Sequence, residues 1–444
     1  LKIYSTINYT MQKYAEEAVR EHLSEDLQQA FFEEKSEKET APFSEELSDD
    51  QMEQIINRSI RRTHRYYILN RKGMEMDSIR AVFNKPVKMR VFSWDGMKDT
   101  VMSPLDSILY YKHFLRAGFM SMNPKNGHVK AYVGGPNFRF FKYDHVTQSK
   151  RQVGSTIKPF LYTLAMQEGY SPCRQVPNVP TTFYINDSTW IPKNSGPSEK
   201  DGKMVTLKWG LTNSVNWISA WLIKRFNEQS VIDVMRKMGI ESEVQAVPSI
   251  FLGTAEISLY EMVGAYSTYA NKGVYIQPQF ISRIEDRNGN VISNFTPKKQ
   301  EALSEQTAYL MINLLQGVVN QGTGIRLRFT YNFESEIAGK TGTTQNQSDG
   351  WFMGVTPSLV SGAWVGGEDR SIHFEGIKLG QGANMALPIW ALYMKKIYAD
   401  EELQKIVSPD DTFEKPLNFD YILDCDEYTK NRSQDKSTEE DDFF

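Results

Sequence analysis

The sequence contains only two cysteines, Cys173 and Cys425, among 444 residues. They lie far apart and form no C-x-x-C pair, which argues against a structural zinc site. We expect two free thiols, with a single disulfide as the alternative in an oxidising compartment. The six histidines are scattered without the spacing of metal ligands. The cysteines and histidines therefore predict no metal centre, and the sequence also has neither a P-loop nor a G-x-G-x-x-G pattern for a nucleotide cofactor.

Long apolar runs are also lacking. No stretch of about 18 apolar residues occurs, so we predict that no segment of this sequence spans a membrane. The chain opens on Leu1 without a signal peptide, and we expect a processed or excised piece whose targeting segment came before it. Hydrophobic residues make up 40% and aromatic residues 12% of the sequence. This composition excludes a wholly disordered chain.

Charge is balanced overall but not locally. The formal net charge is −4, which does not favour a general nucleic-acid binder. Acids dominate 21–53 and 424–444, whereas bases dominate 57–91. We predict that the first acidic block and the basic block form an accessory insertion, paired with each other and outside the active site. Residues 33–50 are Glu-, Ser- and Lys-rich and read as a mobile acidic loop.

Strand-like runs at both ends of a helical middle predict an α+β fold with an antiparallel sheet covered by the terminal helices. The strand-like runs are 118–123, 128–135, 334–344, 351–356 and 360–366. The helical runs are 156–168, 206–226, 230–238, 256–272, 304–320 and 383–398. We divide the chain into a linker and accessory region (1–100), a catalytic domain (101–410) and a polar acidic tail (411–444) that we expect to be largely disordered.

A Ser-x-x-Lys pattern, from Ser155 to Lys158, stands at a loop-to-helix junction. Serine is a weak nucleophile unless a base removes its proton, and a lysine three residues along a helix lies on the same face. Desolvation or a second cation can lower the lysine pKa until the neutral amine acts as that base. The pattern alone is weak, because a second copy at 433–436 lies in the charged tail.

Two further patterns follow in the chain. One is S-x-N at Ser214 and Asn216, which also has a copy elsewhere, at 121–123. The other is the only K-T-G, which starts at Lys340 on a strand-like run and whose glycine would let a ligand approach the backbone. The order of the three patterns, with 59 and then 126 residues between Ser155, Ser214 and Lys340, is far more specific than any one of them.

Together the three patterns resemble those of the penicillin-recognising serine acyl-transferases, which are the penicillin-binding proteins and serine β-lactamases. Longer segments are similar to the transpeptidase half of bifunctional, class A penicillin-binding proteins. These segments include 1–19, 120–135 and 148–172. The resemblance covers 101–400 well and 1–28 fairly, is weak across 29–90 and is absent in the tail. It implies a transpeptidase-like sheet flanked by helices, plus an all-helical subdomain.

The resemblance implies a D,D-transpeptidase that cross-links peptidoglycan through an acyl-enzyme. Ser155 would attack the carbonyl of the penultimate D-Ala in a stem peptide ending in D-Ala-D-Ala, with Lys158 as the base. Ser214 would relay a proton to the leaving amine, assisted by Lys340. Asn216 would hydrogen-bond the backbone amide of the substrate. β-Lactams would acylate the same serine.

The segment around K-T-G is implied to bind the substrate's terminal carboxylate through Lys340, Thr341 and Thr343. The backbone N–H groups of Ser155 and Thr343 would form the oxyanion hole. The residues expected to bind substrate are Thr341, Gly342, Thr343 and Trp217. For Trp217, core packing is an equal alternative. Asp349 is interpreted as a structural turn residue rather than an acid catalyst.

Three alternatives stay open. Class A β-lactamases carry S-D-N and E-x-x-L-N, whereas position 215 is Val and no E-x-x-L-N lies between 214 and 340. The carboxylate that activates a deacylating water is therefore missing. A D,D-carboxypeptidase is less favoured, because the opening segment resembles the linker that follows a glycosyltransferase domain. A non-catalytic β-lactam sensor or scaffold is the third alternative, although every motif residue needed for turnover is present.

The resemblance also implies partners and a location. The partners would be peptidoglycan stem peptides, as D-Ala-D-Ala donor and amine acceptor, and β-lactam antibiotics, with no nucleic acid. The parent protein would be membrane-anchored and linked to a glycosyltransferase domain. We expect an extracytoplasmic enzyme, in the periplasm or on the outer face of the cytoplasmic membrane.

Overall fold

A five-stranded antiparallel sheet lies at the centre of the fold. The computed structural model describes residues 1–185 and 187–434. From edge to edge the strands are Ala338–Thr343, Asp349–Val355, Val360–Gly366, Arg116–Met122 and Val129–Val133. Each pair of neighbours is antiparallel. The three inner strands are buried at every residue, because helices cover both faces of the sheet. The expected α+β class is confirmed.

Three long helices form the layer on the first face of the sheet: Lys158–Gln167, which packs against the third of them, and Leu259–Ala270 and Glu305–Gln321, which contact the strands. The first of them is buried at nine of its ten residues. The sheet contributes Met120, Trp351, Met353 and Trp364 to this core. This layer therefore encloses the helix that starts three residues after Ser155.

Two helices cover the second face, Tyr9–Glu21 near the start of the chain and Leu387–Ala399 near its end. Asn8 caps the first helix by accepting a hydrogen bond from the Met11 N–H at 3.0 Å. The buried residues of this helix recur at helical spacing and are Met11, Ala15, Ala18 and Val19. The expected terminal helices are thus present, and they pack on each other as well as on the sheet.

A helical subdomain contains Leu207–Thr212, Asn216–Ile223 and Glu228–Lys237. The sequence predicts one helix over 206–226, but the structure breaks it at Ser214. This residue has a φ of +56°, in the left-handed region that an α-helix of L-residues cannot continue through. The break turns the S-x-N pattern into a half-buried corner between two helices.

Short ribbons and turns link these layers. The two-stranded ribbons pair Lys150–Gln152 with Glu256–Ser258, Gln175–Pro177 with Met204–Thr206, Phe183–Ile185 with Ser188–Trp190, and Val274–Ile276 with Lys299–Glu301. A small separate sheet joins Lys2–Ser5, Ile281–Glu285 and Val291–Asn294. Further short helices of the catalytic domain are Gly154–Ile157, Pro248–Leu252, Arg326–Phe329, Gln345–Gln347, Ile377–Gly380, Gly382–Met385 and Glu401–Gln404.

The accessory part of the chain is mainly helical. Its helices are Gln28–Lys35, Asp49–Arg61, His64–Arg71, Met76–Phe83 and Pro104–Lys112, and a hairpin joins Val87–Ser93 to Gly96–Met102. A small core of Ile60, Ile79 and Phe83 holds the middle helices together. No helix in the described ranges is both long and apolar enough to cross a membrane.

The expectation of a mobile acidic loop at 33–50 is wrong. Phe43 is 2% exposed and belongs to the core of the second face. The Ser44 N–H donates to the Ser371 carbonyl at 2.7 Å, and the buried Lys35 pairs with Glu375. Phe43 and the buried Lys35 anchor this segment. The average composition of the segment is dominated by acids and does not indicate these two buried residues.

The predicted pairing of the acidic block with the basic block is found at one ion pair. Within the described residues, Arg80 meets Glu53 at 2.7 Å. Other acids of the block contact the catalytic domain. Glu21 pairs with Lys396 at 3.3 Å, and Glu46 accepts a hydrogen bond from Asn346 at 2.8 Å. The acidic block therefore reaches the loop that follows the K-T-G strand.

The expectation of two free thiols is also wrong, whereas the expected disorder of 411–444 stays a prediction, because part of that tail lies outside the described residues. Cys173 and Cys425 form a disulfide instead of two free thiols. The segment before Cys425 packs on the first core through Phe413, Phe419, Tyr421 and Leu423. A helix, Cys425–Gln434, follows, and 435–444 lie outside the described residues. Polar residues alternate with these apolar anchors, so average composition misses the packing.

Candidate active site

The turn that carries Ser155 is pressed against the K-T-G strand. It is one turn of 3-10 helix, Gly154–Ile157, which leads into the helix Lys158–Gln167. Gly154 has a φ of +52°, and a Cβ there would lie 2.6 Å from the carbonyl oxygen of Thr343. Only glycine meets both conditions. The sequence therefore brings the serine and the strand end together through a residue that has no side chain.

Lys158 is fully buried and lies at the centre of the site. Its Nζ donates to the Ser214 carbonyl oxygen, to Ser214 Oγ at 3.3 Å and to Asn216 Oδ1 at 2.7 Å. The Ser155 hydroxyl makes no hydrogen bond within the part of the chain that the structure describes. The lysine is thus held by the S-x-N corner, one helical turn from the serine.

The S-x-N corner places one hydroxyl between two lysines. Ser214 Oγ lies 3.3 Å from Lys158 Nζ and 2.9 Å from Lys340 Nζ. Its left-handed backbone is fixed by hydrogen bonds on both sides, from Ser214 N–H to the Leu211 carbonyl and from Val215 N–H to the Gly210 carbonyl. A non-glycine residue in this region costs on the order of 1 kcal/mol or more. The strained corner is what directs the Ser214 side chain at both amines.

Burial perturbs both lysines. It lowers the pKa of Lys340 to about 7. Burial first, and then the nearby charge of Lys340, lower the pKa of Lys158 well below its usual value. Among the described residues neither amine has a carboxylate within ion-pair distance. Two positive charges next to one hydroxyl, with no counter-ion, raise the free energy of the doubly protonated site. One of the two amines is therefore neutral near neutral pH and available as a base.

The K-T-G strand, Ala338–Thr343, is an edge strand of the sheet. Its hydroxyls have defined partners: Thr341 Oγ1 lies 2.6 Å from Thr323 Oγ1, and Thr343 Oγ1 accepts from the Gly382 N–H at 3.0 Å. A Cβ on Gly342 would lie 2.7 Å from the Val153 carbonyl oxygen. This glycine therefore permits contact with the serine turn rather than only an approach by ligand.

Asn216 and Trp217 are held by a loop at 192–194. Asn216 Nδ2 donates to the Lys193 carbonyl at 2.7 Å, and the backbone N–H groups of both residues donate to Asn194 Oδ1 at 3.0 and 3.2 Å. Trp217 Nε1 donates to the Pro192 carbonyl at 2.9 Å, and its ring packs against the first core. These contacts favour the packing alternative for Trp217.

Sequence reasoning missed Thr323, Asn194 and Arg151. Thr323 lies in a Gly-Thr-Gly sequence, which signals close backbone packing but gives no partner. Arg151 donates through Nε to Asp349 Oδ1 at 2.6 Å, and Trp364 Nε1 donates to the same oxygen at 3.0 Å. Because Asp349 is completely buried, this ion pair ties the strand before Ser155 to the start of the strand Asp349–Val355. The interpretation of Asp349 as a structural residue agrees with that geometry.

The arrangement suits acyl transfer to serine. A hydroxyl at a helix start, a neutral buried lysine and a second hydroxyl between two amines supply a nucleophile, a base and a proton relay. The edge strand adds threonine hydroxyls and an amine next to the serine turn. Among the described residues, no group of three or more His, Cys, Asp and Glu could hold a metal ion.

The fold and this geometry suit an enzyme that transfers acyl groups through a serine, and sequence comparison gives the family. Residues 117–362 match the penicillin binding protein transpeptidase domain, and residues 38–115 match the penicillin-binding protein middle domain. The first match alone covers more than half of the chain. The chain belongs to the penicillin-binding protein transpeptidase family.

Curated relatives agree with this assignment. Penicillin-binding protein 1A of Aquifex aeolicus is 32% identical over 298 residues, which is 65% of this chain and 39% of the relative. Penicillin-binding protein 1A of Neisseria meningitidis serogroup A is 31% identical over 340 residues, 74% of this chain and 40% of the relative. Penicillin-binding protein 2D of Bacillus subtilis is 28% identical over 391 residues, 86% and 52%. The chain spans about half or less of the length of these relatives.

Solved structures show the same fold. Penicillin-binding protein 1A from Haemophilus influenzae superposes with a TM-score of 0.68 at 21% identity, covering 94% of this chain and 68% of that one. The PonA1 protein from Mycobacterium tuberculosis in complex with penicillin V gives 0.55 at 22% identity, covering 83% and 96%. The first match extends over the accessory helices as well as the sheet, because it covers nearly the whole chain.

Proposed function

We propose that the chain is the transpeptidase part of a peptidoglycan-cross-linking enzyme, which forms an acyl-enzyme on Ser155 and is inhibited when β-lactams acylate that serine. The observation that carries the proposal is the pair of buried amines on one hydroxyl. Lys158 and Lys340 both donate to Ser214 Oγ, beside the turn that bears Ser155. Membership of the family supports the same reaction.

In the acylation step, neutral Lys158 takes the proton of Ser155 while Oγ attacks the carbonyl carbon of the penultimate D-Ala. The backbone N–H groups of Ser155 and Thr343 receive the oxyanion. The carbon–nitrogen bond then breaks, and the proton on Lys158 passes through the Ser214 hydroxyl to the leaving amine. The contact of Lys158 with Ser214 supports this relay, and Lys340 keeps the hydroxyl in line.

In the second step, the amine of another stem peptide attacks the acyl-enzyme carbonyl. The bond to Ser155 Oγ breaks, the amine loses a proton to the lysine relay, and Ser155 takes a proton back. A new amide joins the two peptides. Among the described residues neither Lys158 nor Lys340 forms an ion pair with a carboxylate. The missing E-x-x-L-N supports slow hydrolysis over β-lactamase turnover, and the linker-like opening segment supports a transpeptidase over a carboxypeptidase.

The substrate's terminal carboxylate would bind along the K-T-G strand. Because the Gly382 N–H donates to Thr343 Oγ1, the hydroxyl proton of Thr343 is left to point at a ligand oxygen. Thr323, next to Thr341, joins this hydroxyl group. A carboxylate at this point would favour the charged form of Lys340, whose pKa is about 7 without it.

The domain division and the parent protein belong to the same proposal. A linker and accessory region (1–100) leads into the transpeptidase domain (101–410), and the C-terminal segment closes on that domain through Cys425. Because the relatives are longer than this chain, we propose that the full protein carries a glycosyltransferase domain and a membrane anchor and works outside the cytoplasm. A disulfide is compatible with such an oxidising location.

Intact-mass analysis with a fluorescent penicillin tests the proposal. The expected result is one stable adduct that maps to Ser155 and is absent in Ser155→Ala. Ser433→Ala, in the second copy of the S-x-x-K pattern, is the matched control and should be labelled like the parent. Rapid release of hydrolysed drug would assign a β-lactamase instead. Failure to form any adduct would leave a non-catalytic scaffold.

A further inference from the structure

A second exposed feature lies outside the active site, on the accessory helices. Six cations project from the helices Asp49–Arg61 and His64–Arg71 and the turn after them, and all six are exposed. They form what we call the basic surface: Arg58, Arg61, Arg62, Arg65, Arg71 and Lys72. No aspartate or glutamate occurs from 54 to 74. The surface therefore carries six positive charges without an acid among them.

These cations have no acidic partners in the described chain. None of the ion pairs formed by described residues includes a member of the basic surface. Arg71 donates to the Tyr67 hydroxyl at 3.3 Å, which leaves its charge unbalanced. The neighbouring Glu53 is already taken by Arg80, and Asp50 lies about 12 Å from Arg58 along the helix. That separation exceeds the screening length of about 8 Å at physiological salt.

The inner side of the same helices explains why the cations face outward. Ile60 is fully buried and packs with Ile79 and Phe83, and Tyr66 and Leu69 pack against this small core. The apolar residues occupy the inner face of these helices, so the arginines lie on the opposite face and project into solvent. The position of the cations on the outer face is therefore set by the packing of the helices and not by the conformation of individual side chains.

Two apolar side chains lie within the basic surface. Tyr67 is 55% exposed and Ile68 is 42% exposed, between Arg65 and Arg71. The Arg71 guanidinium lies 5.6 Å from the centre of the Tyr67 ring. A tyrosine and an isoleucine that follow and precede exposed arginines in the chain are of the kind that partitions into the boundary between lipid headgroups and acyl chains. A soluble polyanion offers no apolar layer in which these two side chains could be buried.

We propose that the basic surface docks the accessory helices on an anionic lipid bilayer. The arginines and Lys72 would neutralise headgroup phosphates, and Tyr67 and Ile68 would enter the interfacial layer. Clusters of four to eight cations bind anionic membranes in this way, with roughly a fivefold gain in partitioning for each cation close to the surface. Docking would fix how the catalytic domain is presented without touching Ser155.

Vesicle co-sedimentation of the present chain tests this inference. The probes are vesicles of phosphatidylcholine with and without phosphatidylglycerol. We expect binding to the anionic vesicles only, weakened by salt. The variant Arg58→Gln/Arg61→Gln/Arg65→Gln/Lys72→Gln should bind at least about 100-fold more weakly. A matched control removes four exposed lysines elsewhere, at 200, 203, 298 and 299, and should bind like the parent.

Other outcomes would overturn the inference. Equal binding to both kinds of vesicle, or equal losses in the two charge variants, would remove the basic surface as the cause. Tight capture of inorganic polyphosphate with no binding to anionic vesicles would assign a soluble polyanion instead. In Tyr67→Ser/Ile68→Ser, membrane binding should fall while polyphosphate binding does not. Penicillin labelling of every variant checks the fold independently of the docking result.

Discussion

Replacing Lys340 with methionine should stabilise the protein at low pH while it disables the site. Burial lowers the pKa of Lys340 to about 7, against about 10.4 for an unfolded chain. This difference of about three pKa units corresponds to about 4 kcal/mol, which is the cost in folding free energy of holding the charged amine in this site. Methionine has a similar volume and no charge. It gives up hydrogen bonds to Ser214 Oγ and the Thr341 carbonyl, about 1 kcal/mol each.

The sign of the pH dependence follows from the depressed pKa. Below about pH 7 both folded and unfolded states carry the proton, and the folded state bears the full penalty. Between pH 7 and 10 the folded amine is neutral while the unfolded one stays protonated, so the parent protein gains stability as pH rises. Lys340→Met should therefore be more stable than the parent by about 2 kcal/mol at pH 6. The advantage should vanish at about pH 8.5, and near pH 10 the variant should be less stable than the parent by about 2 kcal/mol, because only the two lost hydrogen bonds then count.

Urea denaturation at several pH values, with Lys298→Met as a control at an exposed position, measures the difference. The control should show little change at any pH. If Lys340→Met is less stable than the parent at pH 6, the buried amine is not a net cost and its two hydrogen bonds outweigh desolvation. A difference that does not change with pH would mean that Lys340 has an ordinary pKa, and the case for a neutral amine in the site would fail.

Three further perturbations test other parts of the structure. Gly154→Ala should lower the rate of penicillin acylation at least about 100-fold with little unfolding, because its Cβ would displace Thr343; unchanged kinetics would refute the close contact. Asp349→Asn leaves the Arg151 charge without its partner and should destabilise the fold by about 3 kcal/mol in urea titrations. Cys425→Ser opens a loop of 252 residues, worth about 5 kcal/mol in the unfolded chain. It should lower the urea midpoint yet preserve labelling of the serine, and loss of labelling in the folded variant would tie the C-terminal segment to catalysis.

The fold was largely predictable because its elements have strong periodicity. The runs at 351–356 and 360–366 are continuous apolar strands, and the helix Tyr9–Glu21 has a regular buried stripe. The order of the three motifs predicted a shared site, and Lys158, Ser214 and Lys340 meet in the structure. Local pattern failed at Ser214, since a left-handed serine is set by its surroundings and not by its own propensity.

Pairings between distant segments were the part that sequence could not provide. Cys173 and Cys425 are 252 residues apart, and nothing in either neighbourhood indicates the other. Thr323 meets Thr341, and Arg151 meets Asp349, only because the sheet and the serine turn bring separate segments together. The anchor Phe43 was hidden in the same way by acidic neighbours. Each of these contacts depends on tertiary packing, which a local window does not contain.

The strand order has a consequence for how the enzyme is made. The strand Arg116–Met122 pairs with Val360–Gly366, and the helix Tyr9–Glu21 packs on Leu387–Ala399. The centre of the sheet therefore cannot close until Gly366 has been synthesised and released, and the second core cannot close until Ala399 has followed. Folding dominated by such distant contacts is slow, and incomplete chains expose apolar surface. A chain truncated before Leu387 would hold all three motifs and still lack one wall of the second core.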